Sequence, residues 1–453
     1  MFCTHACVAL AGLFGIIVPT NAQPIALPSQ KAEIDERLNR DYPDLEKLYL
    51  HLHATPELSF HEANTASRLA AELKQLGFQM TEKIGGHGFV GVLKNGDGPT
   101  IMVRTDLDAL PITEETGLPY ASKVKVKDDQ GNEVGVSHAC GHDIHMTVFA
   151  GTALLLSELK ESWRGTLVFI GQPAEERGAG AEAMLRDGLF ERFPRPDYGI
   201  ALHCSASLEA GKIGYCSGYA LANVDMVDVI VHGVGGHGAY PHTAKDPVVL
   251  SAQIILALQT IVSREIKPIE PAVVTVGSIH GGTKHNIIPD EVKLELTLRS
   301  YSDEVREQTI ASVRRIVDGL ARAANIPPDR MPEVIVRDEF TPATYNDPEL
   351  VKRVVTTFRQ VIGDSSVTEV EPVMGGEDFG RYGRVEPRIP IFMYWLGTVS
   401  KEKLANSRGG GEPLPSLHSS KFAPDYEPAI KTGITAMTAA VLRLMGEKEM
   451  RLE

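Results

Sequence analysis

The sequence predicts an α/β protein in which a large domain, built on a mainly parallel sheet, is interrupted by a smaller α+β insertion. Three observations carry that expectation. Strand-like apolar runs alternate with helix-like segments from Tyr42 to His203, chemistry-bearing residues gather where those strands end, and from about Gly214 the order becomes β-α-β-β-α-β. Such alternation suits a parallel sheet covered by helices, and the second order makes a compact ferredoxin-like unit.

Taken in order, Tyr42–Leu50 and Glu62–Leu76 carry apolar residues at three- and four-residue spacing and read as helices. β-rich runs follow at Gly88–Leu93 and Thr100–Arg104, the second leading into Thr105-Asp106-Leu107-Asp108. Met146–Leu159 is a strongly apolar helix. Gly165–Ile170 is a strand that delivers Gln172–Glu176 at its carboxyl end, Gly180–Leu189 a helix and Tyr198–His203 a strand. In the insertion, Met226–Val234 is a strand and Asp246-Pro247 opens a helix over Val248–Glu265. Ala272–Ile279 and Glu291–Ser300 are strands, Ser302-Asp303-Glu304 caps a helix over Val305–Ala324, and Glu333–Arg337 closes the unit. Helix Pro348–Ile362, strand Ile391–Leu396 and helix Glu427–Met445 complete the large domain. The expected boundaries are 1–22 for a leader, 30–213 and 339–453 for the large domain, and 214–338 for the insertion.

A chain of 453 residues fits two domains, at roughly 100–200 residues each. Its 45 basic and 59 acidic groups give a net charge of −14, which argues against nucleic acid and anionic membrane as partners. Ala6–Val18 is almost wholly apolar but too short to span a bilayer, and Thr20-Asn21-Ala22 offers the small residues a signal peptidase reads, although no Lys or Arg precedes the run. The expectation is therefore an exported protein, periplasmic or secreted. It has no membrane association after cleavage and no later stretch able to cross a membrane. Cys3 and Cys7 would leave with the leader; Cys140, Cys204 and Cys216 remain, too few for a disulfide framework, with Cys204 and Cys216 either paired or reduced.

The densest chemistry lies in His138-Ala139-Cys140-Gly141-His142-Asp143-Ile144-His145, three imidazoles and a thiol in eight residues. Cys140 and His142, two apart, can point to one side of a looped backbone, and nitrogen, sulfur and carboxylate donors together suit zinc, manganese or cobalt better than calcium. His145 is the weakest ligand of the set, and Asp143 suits the role of hydrogen-bond acceptor for an imidazole. Glu175 and Glu176 repel one another unless a cation lies near. A metal answers this, one carboxylate ligating while the other takes a proton from the attacking water. Taken singly, His203 and His418 read as ordinary histidines and Asp106 as a capping residue at a strand end.

The ordered motifs RTDLDALP, HACGHDIHMT, QPAEE, GGHGAYPH, HNIIPD, GGEDF and LHSSKF, spread from about Leu45 to Leu442, resemble the M20 metallopeptidase family. Within it the chain is most similar to the amidohydrolase branch of hippurate hydrolases, N-acyl-amino-acid deacylases and auxin-conjugate hydrolases. The resemblance implies a zinc-exopeptidase-type catalytic domain with a lid and dimerisation insertion, and two divalent ions per subunit. Their ligands would be Cys140, His142, Glu176, His203 and His418. It implies Glu175 as general base, Asp106 as support for the metal site, and His237 as a lid histidine reaching the partner subunit's substrate. Asn286 and Arg299 would help hold the substrate carboxylate. Arg177, Cys204 and Asp425-Tyr426-Glu427 depart from the usual pattern without removing a ligand.

Motifs and resemblance together predict metal-dependent amide hydrolysis on N-acyl or N-aroyl amino acids, by a homodimer joined through the lid. The ions would be manganese or zinc, with cobalt also accepted. The alternatives are a dipeptidase or carboxypeptidase with the same site, and a periplasmic metal-binding protein without catalysis. A spare base at Glu175 argues against the last.

Overall fold

A computed structural model describes residues 27–338 and 340–446; the leader expected over 1–22 lies outside them. The longer elements run α1 (Leu27–Ala54), α2 (Ala63–Gln75), β1 (Gln79–Ile84), β2 (Gly88–Asn95) and β3 (Thr100–Asp106). Then come α3 (His142–Glu158), β4 (Gly165–Gln172), β5 (Tyr198–Glu209), β6 (Ile213–Tyr215), β7 (Asn223–His232), α4 (Pro247–Thr260), β8 (Ala272–Gly281) and β9 (Glu291–Ser300). The chain continues through α5 (Asp303–Ala323), β10 (Glu333–Val336), α6 (Pro348–Ile362), β11 (Val367–Glu369), β12 (Ile391–Val399) and α7 (Tyr426–Met445).

Eight strands form the main sheet in the order β1-β2-β4-β3-β5-β12-β6-β11. The central four, β4, β3, β5 and β12, run parallel, and antiparallel pairings flank them on both sides. Parallel strands are covered on both faces, which is why β3, β4 and β12 read as continuous apolar runs and are buried almost throughout. One face packs against α1, α2, α3, α6 and α7 around Phe149, Phe169, Tyr394 and Ile434. Met184 and Tyr382 lie in the core of the other. α3 is apolar all round because it sits deep in the first of these cores.

Four antiparallel strands in the order β8-β9-β7-β10, with α4 and α5, make the second sheet. Asn223 pairs with Ser300 and His232 with Glu291, and alternate residues of β7 and β9 face the helices. The side chains of Asp246 and Ser302 cap α4 and α5 by accepting from Val248 N and Val305 N. This unit begins at Asn223 rather than at 214, because β6 still pairs with β12 and β11 in the main sheet. Three residues are too few for β6 to leave a pattern in the sequence.

Contrary to the expectation of no later stretch able to cross a membrane, Pro247–Glu265 is long and apolar enough to do so by length and composition, with 33% of that window buried. Leu250, Ile254, Leu258 and Ile261 pack on the second sheet, whereas Val248, Val249, Leu256 and Val262 are exposed.

Candidate metal centre

The parallel strands set out the site. β3 and β4 run in register to Asp106 opposite Gln172, and the chain then turns through Ala174 into Glu175 and Glu176. Ala174 has φ 49, a left-handed conformation costing a non-glycine residue about 1–3 kcal/mol. The turn is held by Ala174 N donating to Glu62 Oε1 (2.8 Å) and Glu176 N donating to Asp108 Oδ2 (3.0 Å). His203 does not end its strand. It lies within β5, past the last pair with β3 (Val103 and Ile200), where β12 continues alongside. Between Cys140 and His142, Gly141 takes φ 80, and a Cβ there would sit 2.9 Å from Cys204 Sγ, so any other residue would strain the backbone and displace that thiol. His418, also left-handed at φ 63, enters from a distant loop and donates its backbone N–H to Ala139 O at 2.9 Å.

These segments bring six of the expected residues into one cluster. Donor atoms of Cys140, His142 and His203 lie within 4.8 Å of one another, as do those of Cys140, Glu176 and His418, and those of His142, Glu175 and Glu176. Cys140 Sγ is 3.5 Å from His203 Nε2, and His418 Nε2 is 3.4 Å from Glu176 Oε2. The far nitrogens are occupied: His142 Nδ1 lies 2.9 Å from Asp108 O and His203 Nδ1 2.8 Å from Cys204 O, so each Nε2 faces the centre. His142 Nε2 and Glu176 Oε1 are buried without hydrogen-bond partners among the described residues. Burial, helped by Glu176 and Glu175, pushes the Cys140 thiol well up, and burial with Glu377, Glu176 and Asp106 pushes Glu175 up likewise. Burial takes Glu176 to about 7 and His203 down to about 3. Burial opposes a charge on His142, but Asp106, Asp108 and Glu176 push it up to about 10. Crowded acids and unpartnered atoms converging on inward-facing imidazole nitrogens are the environment a bound cation relieves.

A buried polar frame surrounds the donors. His145 Nδ1 lies 2.9 Å from Asp106 Oδ2 and its Nε2 accepts from Cys204 N at 2.8 Å, which uses both nitrogens. Burial opposes ionisation of Asp106, yet Arg104, His142 and His145 hold it well below the usual carboxylate range. Arg104 pairs with Asp106 and donates to Glu377 Oε1 (2.8 Å), Asp378 Oδ1 (3.0 Å) and Gln172 Oε1 (2.9 Å). Sequence reasoning gave no role to Arg104, Glu377, Asp378, Asp108 or Glu62. The first four stand inside the family-like motifs, but nothing local reveals a partner 273 residues away.

The remaining expected residues lie apart from the donors. His237 is exposed on a short strand, Gly236–His237, paired with Ile287–Ile288, and Gly238 N donates to the carbonyl of exposed Asn286 at 2.9 Å. Arg299 Nη1 donates to Met374 O at 3.0 Å, three residues before Glu377. Arg177, beside Glu176, pairs with Asp129 on the small hairpin Lys125–Lys127/Glu133–Gly135. A cavity of about 530 Å³ between α1, α2 and that hairpin shares no residue with the donor set.

Donors at the carboxyl ends of parallel strands, with a β-α-β-β-α-β unit inserted in the same chain, define a metal-binding hydrolase. The chain belongs to peptidase family M20/M25/M40, whose pattern matches residues 102–443. Thermostable carboxypeptidase 1 of Saccharolobus solfataricus is 35% identical over 412 residues, covering 89% of this chain and 97% of its own. N-acetyldiaminopimelate deacetylase of Leuconostoc mesenteroides is 35% identical over 402 residues, covering 87% and 95%. The solved structure of the Bacillus subtilis YXEP protein, a dinuclear metal-binding peptidase of the M20 family, matches with TM-score 0.72 at 28% identity. That match covers 90% of this chain and 99% of the other. This protein is accordingly an amide-bond hydrolase.

Proposed function

We propose that the enzyme cleaves the amide bond of N-acyl or N-aroyl amino acids, releasing a carboxylic acid and a free amino acid, with two divalent ions per subunit. The observation that carries this reading is the pairing of Glu176, which reaches His418, with an adjacent buried Glu175 free to act as base. Cys140, His142, Glu176, His203 and His418 would hold the ions, manganese or zinc and also cobalt, since a mixed sulfur, nitrogen and oxygen set accepts all three. When bound, such ions polarise the amide carbonyl and bring the pKa of water towards neutrality.

Glu175 takes a proton from the attacking water and delivers it to the departing amine nitrogen. Asp106 keeps His145 and Arg104 oriented behind the ligands. Arg299 and Asn286 bind the substrate carboxylate, and His237 donates to the developing oxyanion in the partner subunit. That last role requires a dimer, and the exposed apolar face of Val248, Val249, Leu256 and Val262 on the inserted unit supports one. Export rests on the leader-like first 22 residues.

The test is hydrolysis of N-acetyl, N-benzoyl and indole-acetyl amino acids against unmodified dipeptides, after loading with each metal. Faster cleavage of the acylated compounds is expected. Cleavage of dipeptides alone would instead favour the peptidase reading that the carboxypeptidase relative suggests. Absence of metal-dependent cleavage of any substrate would leave a binding protein.

A further inference from the structure

His53, in the last turn of α1, is remote in sequence from every proposed ligand, and its side chain is buried between two carboxylates. Its Nδ1 lies 2.7 Å from Asp143 Oδ2 and its Nε2 3.2 Å from Glu114 Oε1. The side chains of Asp143 and Glu114 are only 1% and 3% exposed, so neither has ready access to bulk water as a substitute partner. Tyr120 meets the imidazole edge-on at 5.1 Å and Tyr49 lies tilted to it at 5.7 Å, which leaves it little freedom to turn.

The two carboxylates belong to different parts of the site. Asp143 follows His142 and holds the first turn of α3, accepting from Ile144 N at 2.9 Å. Glu114 stands in residues 112–122, which form neither helix nor strand; its Oε2 accepts from Ser122 N at 2.7 Å, and Thr116 Oγ1 donates to its Oε1. The next residue, Glu115, grips the late loop twice. Its N–H donates to Ser420 O at 2.7 Å, and Ser420 Oγ donates to its carboxylate at 2.8 Å. Ser420 is two residues beyond His418.

We propose that His53 is a positioning residue that fixes the His418 loop relative to the Cys140–His142 turn, so that the ion shared by Glu176 and His418 finds its ligands already in place. This rests on the ligand assignment above. Without such a strut, Glu114 loses its buried link to α1 and Asp143; residues 112–122 are then tied to the ligand segment through Ser137 Oγ on Ile112 O (2.9 Å) and Ser122 Oγ on Val136 O (2.7 Å), and the loop through the His418 N to Ala139 O bond. Burial opposes a charge on His53, but the bonds to Asp143 and Glu114 raise it to about 10, which makes the contact a double ion pair at neutral pH. Supporting groups of this kind typically alter metal affinity about 10–100-fold.

The experiment is titration of the metal-stripped full chain with Zn²⁺ and Co²⁺, reading stoichiometry, both dissociation constants and the visible Co²⁺ spectrum. The variants are His53→Gln, Glu114→Gln and Ser420→Ala. The parent should bind two ions. In folded His53→Gln and Glu114→Gln the first ion should bind as in the parent, the second about 10–100-fold more weakly, with an altered Co²⁺ spectrum. Ser420→Ala, at a partly exposed side chain, should weaken the second ion by a smaller factor. Parental affinity for both ions in folded His53→Gln overturns the proposal. Should the two buried variants fail to fold, an unchanged second constant in Ser420→Ala overturns it instead. A parent that takes up no second ion overturns the ligand assignment, and the strut with it.

Discussion

Glu175 Oε2 and His142 Nε2 face each other across 3.7 Å, and Glu176 Oε1 lies 3.8 Å from the same nitrogen. Two neighbouring carboxylates thus converge on one imidazole edge that has no hydrogen-bond partner among the described residues. Buried like charges at such range are costly unless a cation lies between them. The hydrogen bonds that Ala174 N and Glu176 N donate to Glu62 and Asp108 hold the arrangement against that repulsion and against the strain at Ala174.

Cys140→Ser should lose metal. An alcohol is a far poorer ligand than a thiolate, and its loss should weaken binding by more than the roughly 10–100-fold typical of a supporting hydrogen bond. Metal content after dialysis, with circular dichroism as control for folding, measures this. Full parental content would exclude Cys140 from the ligand set.

Arg104→Met should destabilise the protein by about 3–5 kcal/mol, because it strands Asp106, Glu377 and Asp378 in the interior. Denaturant unfolding gives the comparison. The partly exposed pair of Arg37 with Glu158 is the control, with Arg37→Ala costing about 0–1 kcal/mol. Equal effects would mean the Arg104 network contributes no more than a surface contact.

Glu62 sets a pH dependence. Burial, with Asp108 nearby, raises its carboxyl from 4.5 to about 7. The folded state therefore keeps a proton that the unfolded chain releases. The resulting stabilisation is full below about pH 4.5 and is lost as pH rises through 7. Glu62→Gln can still accept from Phe60 N and Ala174 N but cannot ionise. In metal-stripped protein its melting temperature relative to the parent should be more favourable at pH 8 than at pH 5. An equal difference at both would contradict this.

Leu256→Glu combined with Val249→Glu should turn a dimer into a monomer in light scattering, since both side chains lie on the exposed apolar face of α4. A parent already monomeric at micromolar concentration would remove the basis for His237 acting across subunits.

Much of the architecture was legible because its signals are local and periodic. The β-α-β-β-α-β order of the inserted unit follows from alternation in β7 and β9 and from caps at Asp246 and Ser302, and the apolar parallel strands announce themselves. The extension of α1 back to Leu27 was not legible, since its first turns are polar. Nor was the Lys125–Gly135 hairpin, whose strands have three residues each. At the site, dense motifs exposed Cys140, His142, Glu175 and Glu176, whereas His203 and His418 gained meaning only from the resemblance to a family. Pairings such as Arg104 with Glu377 or His53 with Glu114 leave no trace in one sequence, because each partner alone is an ordinary charged residue. Only the fold shows that both are buried.

That Glu175 moves the proton while its neighbours hold the ions is the core of the proposed mechanism. It is tested most directly by kcat/KM of metal-loaded Glu175→Gln beside the parent on an N-acyl amino acid, with bound metal counted in the same samples. Two ions are expected in both proteins, with a rate lower by about 10²–10⁴ in the variant. A variant that holds both ions and turns over at the parent's rate would contradict the claim.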